Sequence, residues 1–161
     1  MNRKIFFICC SFFLFITASF AQSDRESART FGLNVIQSFF DQNCDFMFDH
    51  LDERITSFEG GQTITITAEM RRLFCSENPL RPDMPVTFQM YQENYAPTVY
   101  NKQELDQKFP EWSAHLNLQN GDFFFDGAQP IAAGNTRVFT AGDMARFVLR
   151  KINGDWKIIA I

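Results

Sequence analysis

Apolar residues recur at helical spacing through Ala28, Phe31, Val35, Phe39 and Phe40, which predicts a first helix ending near residue 42. Its start is marked by Ser23-Asp24-Arg25-Glu26, a capping box whose Ser and Glu side chains would each accept a backbone N–H. Asn43 caps a second, shorter helix that carries Phe46, Met47, His50 and Leu51. Residues 54–58 and 62–67 read as strands around Glu59-Gly60-Gly61. The alternation Thr63, Ile64, Thr65, Ile66, Thr67 gives the second strand one apolar and one hydroxyl face. Thr67 then caps a third helix with Met70, Leu73 and Phe74 inward, ended by Pro79 and Pro82.

The middle of the chain is less regular. Residues 86–91 read as a strand, and Tyr91, Tyr95 and Tyr100 all fall nearby. Asn101-Lys102-Gln103-Glu104 opens another capped helix, which runs to Phe109 and stops at Pro110. From His115 onward the pattern is β. Leu116 and Leu118 alternate, Asn120-Gly121 reads as a hairpin turn, and residues 122–126 return with three Phe. Asp126-Gly127 and Gly134-Asn135 mark a longer connection before strands at 136–140 and 144–152. Asn153-Gly154 makes a second hairpin, and residues 155–161 close the sheet.

Two strands are apolar on both faces, through Phe147-Val148-Leu149 and Ile158-Ile159-Ala160-Ile161. A strand with water on one side alternates instead, so the sheet must be covered twice. Helices cover one face. A dimer partner or an apolar cavity is the expectation for the other.

The N-terminus has a different character. Arg3 and Lys4 precede an almost wholly apolar run over residues 5–17, and Ser19-Phe20-Ala21 places small residues at the −3 and −1 positions of a cleavage site. This reads as a secretory signal peptide over residues 1–21, leaving a single domain over 22–161 that is exported to the periplasm or beyond the cell. The apolar run is shorter than the roughly 20 residues a spanning helix needs, so no membrane association is expected after cleavage. Fifteen basic residues fall to thirteen against nineteen acids, taking the net charge from −4 to −6. An acidic chain with only the isolated pairs Arg71-Arg72 and Arg150-Lys151 is not built for nucleic acid. Cys9 and Cys10 leave with the signal. Cys44 and Cys75 remain, and an exported chain with two cysteines suggests one disulfide, worth about 3–4 kcal/mol in the chain-entropy model. Two separate buried thiols are the alternative.

The order helix, helix, hairpin, helix, then antiparallel meander resembles the nuclear transport factor 2-like superfamily. Phe147-Val-Leu-Arg-Lys-Ile-Asn-Gly-Asp-Trp-Lys-Ile-Ile159 is similar to the closing hairpin of that group, and residues 28–58 resemble its paired helices. The resemblance implies an α+β fold with N-terminal helices packed on a curved antiparallel sheet, a cystatin-like cone around a conical pocket. It also implies homodimers through the outer sheet face and, in the enzymes of the group, an Asp, sometimes with a His, as general base. It sets no function by itself, since the superfamily holds enzymes, carriers and binding modules.

Candidate chemistry is sparse. His115, Asp122 and Asp126 are the candidates for a base with an orienting partner, although both Asp also sit as ordinary turn residues beside Gly. His50 and Glu53 share a helical face, but two His in the chain and no paired-Cys motif leave no metal site expected. No nucleophile elbow, phosphate loop or cofactor fingerprint is found, and no cofactor is expected. Tyr91, Tyr95, Tyr100 and Trp112 are the candidates for contacts to an apolar ligand, set against an aromatic-rich core. The expected function is non-catalytic binding of a small apolar ligand or a protein partner. The alternatives are a lyase or isomerase of the ketosteroid-isomerase type and a homodimeric structural module.

Overall fold

The computed structural model describes residues 3–58, 60–77, 87–128 and 145–161, with the side chains of the first helix described from Gln22 on. The fold is α+β. Helix α1 (Arg3–Phe40) is continuous, so Ser23 lies inside it and caps nothing. The expected start at Ser23 fails because residues 3–21 extend the same helix upstream and leave no terminus there. The other end behaves as read. Gln42 takes a left-handed φ of 56° and the Asn43 N–H donates to the Ser38 carbonyl at 2.8 Å, closing a Schellman-type turn.

Helix α2 (Cys44–His50) starts with the Asn43 side chain accepting from the Phe46 N–H. Strands β1 (Leu51–Thr56) and β2 (Thr63–Thr65) form the hairpin, and helix α3 (Ala68–Glu77) begins where the Thr67 hydroxyl accepts from the Met70 N–H. Met70 and Leu73 are 39% and 48% exposed, contrary to the expected inward face, and only Phe74 is half-buried. Among the described residues the side-chain pairings of α3 reach α2, through Phe74 with Phe48 and Arg71 with Asp45 and Asp49, which leaves Met70 and Leu73 partly to solvent. Pro79 and Pro82 lie outside the described residues.

The strand expected at 86–91 is instead helix α4 (Phe88–Asn94), because the Thr87 hydroxyl accepts from the Met90 N–H and nucleates a turn. Strand β3 (Thr98–Asn101) leads into α5 (Lys102–Lys108) through the capping box of Asn101 and Glu104. There, burial opposes ionisation of the Glu104 carboxyl, but the Asn101 N–H and the Arg25 guanidinium together hold it below the usual range. Pro110 does not stop the chain. It opens helix α6 (Pro110–Leu116), where its missing N–H costs nothing, so His115 sits on a helix rather than a strand. Left-handed Asn117 ends α6 (φ 45°), and Asn120-Gly121 turns the chain into β4 (Phe123–Asp126) rather than joining two strands. Strands β5 (Arg146–Ile152) and β6 (Asp155–Ala160) are joined at Asn153 and Gly154, both at positive φ. The connection at Gly134-Asn135 and the strand at 136–140 lie outside the described residues.

The six strands among the described residues form one open, curved sheet in the order β2-β1-β6-β5-β4-β3. It is mixed rather than purely antiparallel, because β1 runs parallel to β6. Both faces are covered from within the chain. Val35 and Ile36 of α1, with Tyr91 of α4, pack with Phe123, Phe125, Phe147, Leu149 and Ile158 on one face. On the other, Leu105 of α5 and Leu116 of α6 pack with Phe124, Val148, Ile159 and Ala160. The doubly apolar strands are therefore accounted for by two helical layers, and the expectation of a dimer partner on that face loses its reason.

Helix α1 approaches the sheet closely at Gly32, where an added Cβ would stand 2.2 Å from Phe125 Cδ2. Near its docked start, Asp24 meets Lys151 at 2.9 Å, Arg25 meets Glu104 at 2.7 Å and Ser27 accepts from Trp156 Nε1 at 2.9 Å.

Candidate functional site

An apolar cleft of about 320 Å³ opens beside the β1–β2 end of the sheet. Its floor comes from strand residues, Ile55 on β1, Ile64 on β2, Phe147 on β5 and Ile158 on β6, with Ile66 and Ile161 just beyond the strand ends. These side chains converge because they occupy one pleat face: Ile55 pairs with Ile64 across the hairpin, and Phe147 and Ile158 belong to the α1-side core. Val35 and Phe39 of α1, Met47 and Phe48 of α2, and Leu51 form the wall. Met70 and Phe74 of α3 close the outer side. Among the described residues, Arg146 is the one lining residue that carries a charge. Its guanidinium is engaged: Nε donates to Asp126 at 3.1 Å and the group lies 5.4 Å from the centre of the Trp112 ring. A wall of this composition can exclude water and hold hydrocarbon, but it offers no array of polar groups to orient a reacting centre.

Asp122 and Asp126 are 2% and 0% exposed, not the solvated turn residues their neighbours suggest. Asp122 receives both Nε and a terminal nitrogen of Arg150, at 2.8 and 2.6 Å, and the Gln119 N–H at 2.8 Å. Asp126 accepts from Arg146 and from the Ala128 N–H at 3.1 Å. Hydrogen bonding to Asp122 raises the Arg150 pKa against the cost of burial. By strand register Asp126 stands opposite Arg146 and Phe124 opposite Val148, which puts Asp122 and Asp126 on the α5–α6 face; neither carboxylate lines the cleft, and of the two paired arginines Arg146 alone reaches it. His115 is exposed on α6 and packs its Cβ near Gly61. The three candidate bases therefore do not meet around the cleft.

The aromatic candidates divide between the two faces, and none of the four lines the cleft. Tyr91 is buried on the α1 side. Its hydroxyl donates to the Gly127 carbonyl at 2.9 Å, and its ring stacks on Tyr95 at 5.3 Å. Burial pushes the Tyr91 hydroxyl well above the usual phenol range, with the Asp126 charge adding to it. Tyr100 and Trp112 are on the other side. Tyr100 accepts from Lys108 Nζ at 2.5 Å, and Trp112 stacks between Phe58 at 6.0 Å and Phe109 at 4.8 Å. The cleft residues were visible in the sequence only as an apolar face, the Ile64 and Ile66 alternation and the doubly apolar strands.

Cys44 and Cys75 form a disulfide with Cα atoms 5.6 Å apart, joining the start of α2 to α3 beside the cleft. No cluster of three or more metal-ligating side chains occurs among the described residues. Beyond Ala21, no described helix is long and apolar enough to cross a membrane. No family model, curated protein or solved structure matches this chain.

Proposed function

We propose that the protein is an exported, non-catalytic domain that holds a small apolar ligand in the cleft between α1, α2, α3 and the sheet. The composition of the cleft wall carries this reading: among the described residues, thirteen apolar side chains and Arg146 surround a volume of ligand size. The charged and apolar N-terminal run, with small residues before Gln22, supports export, as does a disulfide in the folded domain. The strand order, with a four-stranded meander from β3 to β6 and paired N-terminal helices, supports a nuclear transport factor 2-like fold.

The test is a titration of residues 22–161, oxidised, with the neutral fluorophore N-phenyl-1-naphthylamine. Saturable one-to-one binding is expected. Ile64→Trp should abolish it, because an indole on the half-buried edge strand fills the cleft with little disturbance to the core. Absence of saturable binding by the unmodified domain would sink the reading.

A further inference from the structure

We propose that α3 is a latch over the apolar cleft, held shut by the Cys44–Cys75 disulfide, and that thiol–disulfide exchange controls how fast a ligand passes. The ligand part of this inference rests on the binding function proposed above; the latch itself does not.

Helix α3 supplies Met70 and Phe74 to the cleft, yet Met70 and Leu73 remain exposed, so the helix is only lightly seated. It is hinged at its start. The Ile66 N–H donates to the Glu53 carbonyl at 2.9 Å, tying the chain just before the Thr67 cap to β1. From there on, the specific pairings of α3 among the described residues all reach α2. Arg71 bridges Asp45 and Asp49, the latter at 3.0 Å, Phe74 meets Phe48 edge-on at 5.6 Å, and Cys75 is bonded to Cys44.

These fastenings differ in kind. Asp45 and Asp49 are largely exposed, so water and salt compete for the Arg71 bridge. A single edge-on ring pair is a small term. A helix of ten residues does not hold its own shape in water. The covalent link is the one fastening that solvent cannot exchange, and it sits at the end of α3 farthest from the hinge. A dithiol reductant opens it by giving two electrons and two protons. The S–S bond breaks, two S–H bonds form on Cys44 and Cys75, and the reductant leaves as its own disulfide. The outer wall of the cleft then frays while the sheet, whose cores do not involve α3, stays formed.

The experiment compares oxidised residues 22–161 with the same chain after dithiothreitol and with the double variant Cys44→Ser/Cys75→Ser. Stopped-flow release of N-phenyl-1-naphthylamine and hydrogen exchange are both read. Release at least ten times faster is expected without the disulfide, with no dithiothreitol effect on the double variant. Amides of residues 68–77 should lose at least tenfold protection while those of β5 and β6 keep theirs. Unchanged protection of residues 68–77 overturns the latch. So does a joint loss across β5 and β6, or a reduced chain that unfolds outright, since the disulfide would then be a staple of the whole domain. If the probe does not bind the oxidised protein, the ligand-binding reading falls, and the latch is decided by hydrogen exchange alone.

Discussion

Replacing Gly32 with Ala tests the closest contact between helix and sheet. The added Cβ would meet Phe125 Cδ2 at 2.2 Å, Cε2 at 2.4 Å and Cγ at 2.7 Å. Ordinary contact begins near 3.4 Å, so either the helix or the ring has to retreat by about 1.2 Å. The ring cannot move freely. Phe125 is fully buried and stacked on Phe147, with centroids 4.8 Å apart and planes 9° from parallel. Overpacking of this kind costs about 1–3 kcal/mol, and rigid aromatic neighbours on the sheet put this site at the upper end. Ala is a better helix former than Gly by about 1 kcal/mol, which offsets part of the loss. The net expectation is a destabilisation of about 2 kcal/mol, or roughly 6–8 °C in Tm for a domain of this size. Calorimetric unfolding of oxidised residues 22–161 reads it directly. Asn34→Ala, on an exposed position of the same helix, should leave Tm unchanged or raise it slightly. Gly32→Ala combined with Phe125→Leu should cost less than the two changes added, because the smaller side chain makes room. A Gly32→Ala protein as stable as the parent would show that α1 does not lie this close to β4.

Two further substitutions address the buried polar groups. Asp122→Ala strands the Arg150 guanidinium and the Gln119 N–H. It should lower the denaturant midpoint by the equivalent of about 3 kcal/mol, at the low end for a broken buried pair because Arg150 is partly exposed; a loss below 1 kcal/mol would mean the pair is solvated. Tyr91→Phe should cost about 1 kcal/mol near neutral pH by removing the bond to Gly127. Because the folded-state pKa of Tyr91 lies above the ordinary 10.0, its stabilising effect is complete below pH 10 and is lost as pH rises beyond it. The parent should therefore lose stability above pH 10 more steeply than Tyr91→Phe, and parallel pH curves would refute the assignment.

What the sequence made legible was local. The Asn43 cap, the Thr67 cap, the Asn101–Glu104 box and the Asn153-Gly154 turn each depend on residues within one turn of one another, and each is found. The failures arise where a local signal has two meanings. Pro110 both ends one helix and opens the next, and aromatic residues after Thr87 favour strand by propensity while Thr87 starts a helix by capping. The Asp122–Arg150 and Asp126–Arg146 pairs were beyond reach for another reason. Each joins residues 28 and 20 positions apart, and only the β4–β5 register brings them together. Without the register, a carboxylate beside a glycine reads as a solvated turn. The cleft shares this dependence on register, since Ile55, Ile64 and Ile158 come from three strands.

Two of the four aromatic candidates for ligand contact have their hydroxyls committed elsewhere: Tyr91 donates to Gly127 and Tyr100 accepts from Lys108. A ligand in the cleft would meet Ile, Val, Leu, Met and Phe side chains, with Arg146 already on Asp126. Selection in such a site comes from apolar area and shape, and little comes from hydrogen bonding. A homologous series of straight-chain alcohols should therefore bind with affinity rising about fourfold per methylene, following roughly 0.8 kcal/mol for each CH₂ buried. The rise should stop when the cleft is full, and replacing the hydroxyl by a methyl group should not weaken binding. Competition against N-phenyl-1-naphthylamine measures both slopes. Affinity that followed the head group and ignored chain length would place the recognition elsewhere than on this apolar wall.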